Sequence, residues 1–180
     1  MKQLSPELAT RVWEVATRGV LAHGFALRFD DLSDQEQKKT GTFDGLEIVL
    51  HQGNDPQLQI FILLHLFGHS VQWVAPSLED TLRGIQNKEN MSKFMYFLRR
   101  YEFEAARFGL QLLHEAGITE ADEWFAEMVD IDWQYVKTYY ETGVVPNLDD
   151  IAAMPIDASK IEPLAIPELR HRRVKVRYAF

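Results

Sequence analysis

The chain has 180 residues, 46% of them hydrophobic and 26% charged, and a formal net charge of −8 at pH 7. This share of apolar residues is enough to bury a sizeable core, which excludes a disordered or fibrous chain and favours one domain. A uniformly acidic surface repels phosphate backbones, which argues against bulk nucleic-acid binding. The absence of cysteine excludes disulfides, thiolate metal sites and cysteine nucleophiles.

Helix start and stop signals recur along the chain. Ser5 is an N-cap candidate with Pro6 at the first helical position, and Gly24 can end this first helix. Capping-box patterns at Ser77 and Thr119 predict the start of a short helix and of a longer one that ends near Gly143. The remaining predicted helices cover about residues 56–73 and 91–115.

Two apolar segments between the first two helices predict short strands. Residues 25–29 alternate in the pattern of a half-buried strand, and residues 43–50 are rich in β-branched and apolar side chains. Gly45 would form a bulge or a turn within the second segment. The polar residues 30–40 between the segments predict a loop.

The chain changes character after Pro146. Three further prolines break any long element, which predicts an irregular arm (146–180) packed on one domain formed by residues 1–145. The last 15 residues carry five basic side chains and one acidic side chain. Alternation from Val174 onward predicts an edge strand with a solvated basic face, and contact of this arm with nucleic acid or anionic lipid stays open as an alternative.

No targeting or membrane segment is evident. The N-terminal residues lack the apolar stretch of a secretory signal. The longest apolar run, residues 60–67, is interrupted by His65 and is far shorter than the roughly 20 residues of a spanning helix. We therefore expect a cytoplasmic protein without membrane contact.

The segment FILLHLFGHS, residues 61–70, carries the clearest chemical signal. His65 and His69 are four residues apart, so both imidazoles lie on one face of the predicted helix and can ligate one zinc ion. The surrounding residues are apolar, and buried histidines need partners, which a shared metal would supply. Gly68 lies inside this helix, where glycine costs about 1 kcal/mol against alanine, so another backbone is expected to pass close by.

A later predicted helix provides acidic side chains. Residues 101–113 read YEFEAARFGLQLL and include Glu102 and Glu104. One of these carboxylates could complete a site of two histidines and one carboxylate that keeps a position for water. The alternatives are a surface salt bridge of Glu102 with Arg99 or Arg100 and a solvated position for Glu104.

The stretch from Phe43 to Leu113 resembles the ImmA/IrrE family of zinc metallopeptidase-like domains. In that family an apolar strand precedes a helix with the His-Glu-x-x-His motif, usually HELGH, and a later helix reads like E-x-E-A-N-x-F-A-x-x-L-L. The corresponding segments here are a strand at residues 46–50, HLFGH and EFEAARFGLQLL. Ala106 and Gly109 replace the family's asparagine and alanine, and both are small enough to leave the packing intact.

The resemblance implies a fold, a metal and a partner. The fold is an α+β, mostly helical, zincin-like domain in which a small sheet packs on the HLFGH helix. One zinc ion per chain is held by His65, His69 and Glu102, with Glu104 outside the ligand set. Family members often act on or beside DNA-binding regulators, which implies a protein or peptide partner such as a separate transcriptional regulator, since this chain shows no helix-turn-helix segment.

One departure from the family pattern bears on activity. The family's catalytic glutamate follows the first histidine, where this chain has Leu66. In such peptidases that carboxylate moves a proton from the activated water to the leaving amine, and positioned acid–base groups contribute roughly 10²–10⁴-fold in rate. A leucine side chain can neither accept this proton nor deliver it. Candidates by residue type for a substitute base are Glu104, His114, His51 and His23.

The sequence therefore predicts a metallopeptidase-like protein with a His/His/Glu zinc site, weak or no peptidase activity and a regulatory role. Two alternatives stay open: an active zinc-dependent peptidase with a substitute base, and a metal-free protein-interaction module. Large aromatic side chains are assigned to the core rather than to a ligand cage: Trp73, Phe94, Tyr101, Phe108, Trp124 and Phe125. Packing is also favoured over a partner surface for Tyr135, Tyr139 and Tyr140.

Overall fold

The fold is described from a computed structural model that covers residues 2–33, 39–75, 90–157 and 159–174. Its elements confirm the predicted α+β class, with helices around a small mixed sheet. The short helix predicted from Ser77 and the strand predicted beyond Val174 lie outside the described residues. The elements in chain order are α1 (Pro6–Ala22), β1 (Ala26–Asp30), β2 (Gly41–Phe43), β3 (Glu47–His51), α2 (Pro56–Val74), α3 (Met91–Glu115), α4 (Asp122–Thr142) and α5 (Leu148–Ala152).

Helix α1 begins and ends as its sequence predicts. The Ser5 hydroxyl accepts a hydrogen bond of 3.2 Å from the Leu8 N–H, and Pro6 occupies the first helical position. Gly24 follows the helix with a φ of 83°, a left-handed conformation that glycine adopts without strain. The buried face of α1 consists of Val12, Ala16 and Val20.

Within the described ranges the sheet has three strands in the order β1-β3-β2, with β1 parallel and β2 antiparallel to the central β3. Of the bulge and the turn predicted at Gly45, the structure has the turn: the chain reverses there with a φ of 85°. The predicted strand over residues 43–50 is therefore divided, because β2 ends at Phe43 and β3 begins at Glu47. The Asp44 carboxylate holds this turn by accepting hydrogen bonds from the N–H groups of Leu46 and Glu47.

Helix α2 is the centre of the fold and contacts β2, β3, α1 and α3. Asp55 caps its start by accepting from the N–H groups of Gln57 and Leu58. Every residue from 60 to 72 is buried, which explains why this helix is apolar on all sides. Despite that, no helix in the described ranges combines the length and apolar character needed to span a membrane.

Helices α2 and α3 cross at two glycines. A Cβ atom on Gly68 would lie 1.9 Å from the carbonyl oxygen of Ala105, and one on Gly109 would lie 2.5 Å from that of Leu64. Both distances are far below van der Waals contact, so only glycine fits at either position. The close approach predicted from Gly68 is confirmed, and it brings the histidine face of α2 directly against α3.

The start of α4 differs from its prediction. The capping box at Thr119 is wrong, because α4 begins at Asp122 with Ala121 at the N-cap and no side-chain hydrogen bond to the cap. Asp122 pairs instead with His114 of α3, at 2.9 Å. The helix ends at Gly143 in the left-handed conformation, as predicted.

The described part of the C-terminal arm lies along the domain surface. It contains the short helix α5, which the sequence did not predict, and then runs without regular structure to residue 174. Three of its backbone N–H groups donate to the domain: Leu164 to α3, Arg170 to the end of α2 and Val174 to the β2–β3 turn, over 3.2, 2.9 and 2.7 Å.

Most of the large aromatic side chains lie in the core, as predicted. Trp73 is only partly buried, and its indole N–H donates to the Tyr101 hydroxyl over 2.8 Å. The three tyrosines of α4 are half-buried, and Tyr140 packs on Phe94 with ring centroids 5.0 Å apart. The fully buried members of the predicted set are Phe94, Tyr101, Phe108, Trp124 and Phe125.

Candidate metal centre

Three potential ligand atoms converge where α2 and α3 cross. His65 and His69 lie one turn apart on α2, and Glu102 faces them from α3. The two histidine Nε2 atoms are 2.9 Å apart, and each lies 3.1 Å from Glu102 Oε2. The structure thus brings together the three residues that the sequence singles out as ligands, close enough to share one metal ion.

The centre is enclosed by protein. His65, His69 and Glu102 are 1%, 0% and 4% exposed. Phe61 stacks on the His65 ring and Tyr101 on the His69 ring, with centroids 5.5 and 4.4 Å apart. Polar side chains in such apolar surroundings are strongly destabilising unless they bind one another or an ion. The three buried groups therefore need a shared proton or a metal ion between them.

Gln72 sets the tautomer of His69. Its Nε2 donates to the backbone oxygen of Tyr101 over 2.8 Å, which turns its Oε1 toward His69 Nδ1 at 2.9 Å. His69 Nδ1 must then carry a hydrogen, so Nε2 is the nitrogen that faces His65 and Glu102. This nitrogen donates to Glu102 when it carries a proton, and it offers its lone pair when a metal ion replaces that proton. The sequence interpretation missed Gln72, although its position three residues after His69 on the same helix was a usable signal.

Glu102 is held in its charged form. Burial by itself would raise the pKa of Glu102, but the charge of His69 and hydrogen bonds from both histidines outweigh it, and the pKa falls to about 2. An ionised carboxylate is the form that binds a cation. The salt bridge considered for Glu102 is not formed among the described residues, because Arg100 pairs with Glu104 at 2.9 Å and Arg99 lies over the Phe103 ring.

Asp132 is a second carboxylate beside the centre, and the sequence interpretation missed it. It projects from α4, with Oδ2 3.6 Å from His65 Nε2 and 16% of its side chain exposed. Burial, partly offset by His65 and reinforced by the charge of Glu102, raises the pKa of Asp132 to about 6. No local spacing pattern could have revealed it, because the contact depends on how α4 packs.

The residues present fit a divalent metal. Imidazole nitrogens and carboxylate oxygens are common zinc ligands with bonds of about 2.0–2.2 Å, which in a tetrahedral site separates ligand atoms by about 3.3 Å. The separations of 2.9 and 3.1 Å in the structure are only a few tenths of an ångström shorter. Because electron-rich atoms this close repel one another, they require a proton or a cation between them.

Leu66, the residue that follows His65, belongs to the core. Its side chain is 0% exposed, and its Cδ1 lies 2.7 Å from where a Cβ on Gly41 of β2 would be. The position therefore packs against the sheet and supplies no acid–base group.

The four candidate substitute bases all have partners other than the centre. Glu104 pairs with a residue of its own helix, and His114 contacts the start of α4. His51 lies at the end of β3, and His23 lies at the end of α1. Their contacts are Glu104 with Arg100 at 2.9 Å, His114 with Asp122 at 2.9 Å, His51 with the Leu32 N–H at 3.1 Å, and His23 with Glu115 at 3.8 Å.

Comparison with known proteins gives no relative on which an assignment could rest. Scans against protein-family models, curated proteins and solved structures find no match to the chain.

Proposed function

We propose that this protein binds one zinc ion through His65, His69 and Glu102 and is a metallopeptidase-like protein with weak or no peptidase activity. The observation that carries the proposal is the buried convergence of three ligand atoms within 3.1 Å of one another. Its relation to the ImmA/IrrE family rests on the sequence motifs. Zinc bound there would act as a Lewis acid toward water or a carbonyl group.

The protein's own residues support binding better than hydrolysis. Gln72 fixes the His69 tautomer that can ligate, and Glu102 is ionised. Leu66 supplies no base, and the three ligands are almost inaccessible to a peptide. We therefore propose a cytoplasmic, regulatory role through a protein or peptide partner, such as a separate transcriptional regulator, on the strength of the family resemblance.

Metal content tests this proposal. The full chain, purified without a histidine tag or chelator, should contain about one zinc per molecule by elemental mass spectrometry. Glu102→Gln should lose the metal, whereas the matched change Glu104→Gln, on the same helix but paired with Arg100, should retain it. Wild-type protein that takes up no metal after incubation with zinc, iron or manganese would overturn the proposal.

A cleavage assay tests the proposed loss of hydrolysis. Zinc-loaded protein is expected to cleave little or nothing in a broad panel of peptides and folded regulator proteins. Efficient cleavage that is lost in Glu102→Gln would instead establish an active peptidase.

A further inference from the structure

We infer that the outer edge of β1 pairs with the same edge of a second copy of this chain, in an antiparallel arrangement that joins the sheets of a symmetric dimer. The surface uses none of the proposed metal ligands, so the inference does not depend on metal binding. The occupant is a second copy because β1 is complementary to itself, both in the charges and in the apolar contact that it offers at this edge.

The outer edge of β1 lacks a backbone partner among the described residues. The strand pairs on one side only, with the parallel strand β3. The N–H of Ala26 and the carbonyl of Asp30 form hydrogen bonds at the two ends of β3. Because bonding alternates along a parallel pair, Leu27 and Phe29 turn their backbone groups away from β3. An unpaired edge of this kind is a template for a further strand.

The side chains of β1 leave this edge accessible. Leu27 is partly buried and the other residues of β1 are exposed, whereas β2 and β3 contain no exposed residue. Phe29 is 45% exposed, and the other side of its ring packs on Trp13 of α1 with centroids 6.0 Å apart. Beyond the strand, the Leu32 N–H donates to His51 at the end of β3, so the chain turns away from the edge. A strand added to β1 would cover the exposed part of the Phe29 ring.

The charges of β1 select the register of the pairing. In an antiparallel pair centred on Phe29, this residue lies opposite its counterpart, and Arg28 lies opposite Asp30 of the second copy. Within one copy Arg28 pairs with Asp30 and with Glu47 of β3, on the sheet face opposite Phe29. The charges of the paired strands therefore alternate in sign. A register centred on Arg28 would place this residue opposite itself, and like charges directly opposite are destabilising.

Charge reversal in the full chain tests the inference, with dimer formation measured by sedimentation over a range of concentrations. Arg28→Asp and Asp30→Arg should each weaken the dimer by at least about 10-fold, because each places like charges opposite one another at both symmetric positions. A mixture of the two variants restores opposite charges, so the heterodimer should be at least about 10-fold tighter than either variant alone.

Phe29→Pro provides a second test. It removes the exposed ring and the N–H that points away from β3, and proline is tolerated on an edge strand in that orientation. We expect this variant to be monomeric, and circular dichroism checks that it folds. If it does not fold, the charge-reversal pair still decides the question.

Glu141→Arg is the matched control, because it reverses one charge at an exposed position near the end of α4. It should change the dissociation constant of the dimer by less than about twofold. A wild-type chain that remains monomeric up to its highest soluble concentration would overturn the inference. A dimer of unchanged affinity in both charge-reversal variants would overturn it as well, because its interface would lie elsewhere. Neither result bears on metal binding, which zinc content measures separately.

Discussion

Gln72 and His69 are joined by a hydrogen bond of 2.9 Å between Gln72 Oε1 and His69 Nδ1 within α2. Since the Gln72 amide is itself oriented by the Tyr101 carbonyl, the backbone of α3 decides which His69 nitrogen faces the centre. Gln72 is therefore a positioning residue for His69, and it would act through His69 on the metal proposed above.

Replacement of Gln72 by leucine should weaken zinc binding by about 10- to 100-fold, because His69 loses the acceptor that holds its tautomer. Chelator competition on the purified protein measures the change. Gln72→Glu, which keeps an acceptor oxygen next to His69 Nδ1, should retain more of the affinity than Gln72→Leu. Equal affinities in the leucine variant and the wild type would show that Gln72 has no positioning role.

Gly68→Ala should destabilise the protein by at least about 3 kcal/mol, because the added Cβ would lie 1.9 Å from the Ala105 carbonyl oxygen and would force α2 and α3 apart. Urea unfolding measures the change. Gly19→Ala is the control: its Cβ would lie 3.0 Å from the end of the Leu112 side chain, which can move. We expect the control to change stability by less than about 1 kcal/mol.

Leu66→Glu tests whether the missing base alone explains the proposed lack of hydrolysis. Because Leu66 is fully buried against β2, we expect the variant to lose stability and to gain no peptidase activity. Leu66→Gln, which buries a polar group without an acid, is the matched control in the same peptide panel. Cleavage by Leu66→Glu and not by Leu66→Gln would show that only the base was lost and that the metal is open to substrate.

Asp132 should link the stability of the metal-free protein to pH. Its pKa rises from 3.8 to about 6 on folding, chiefly through burial, so between these values the folded protein keeps a proton that the unfolded chain releases. The free energy of unfolding contributed by this group is therefore fully present below pH 4 and is lost as pH rises through about 6.

Asp132→Asn removes this dependence. The stability of the variant relative to wild type should increase between pH 4 and pH 7, by up to about 3 kcal/mol. Urea unfolding in the presence of a chelator measures it at both pH values. Glu141→Gln, which removes one negative charge from an exposed position on the same helix, should show no such trend. A relative stability of Asp132→Asn that is flat or falls with pH would contradict the prediction.

The sequence determined the features that depend on local geometry. The Ser5 cap, the left-handed glycine after α4 and the placement of His65 and His69 on one face follow from helix geometry alone. Gly68 predicted the close approach of another backbone, because a glycine inside a helix is otherwise unfavourable. The capping box predicted at Thr119 failed because of a tertiary contact: the Asp122 side chain pairs with His114 and does not cap the helix.

Only the tertiary structure decided how the centre is composed. Glu102 meets His65 across 37 residues of sequence because two glycines let α2 and α3 approach, and Glu104, two positions on, faces Arg100 instead. Asp132 arrives on a third helix, and nothing in its sequence neighbourhood marks it. Spacing along one helix places side chains on a common face, but contacts between helices depend on packing angle and distance, which are properties of the assembled core.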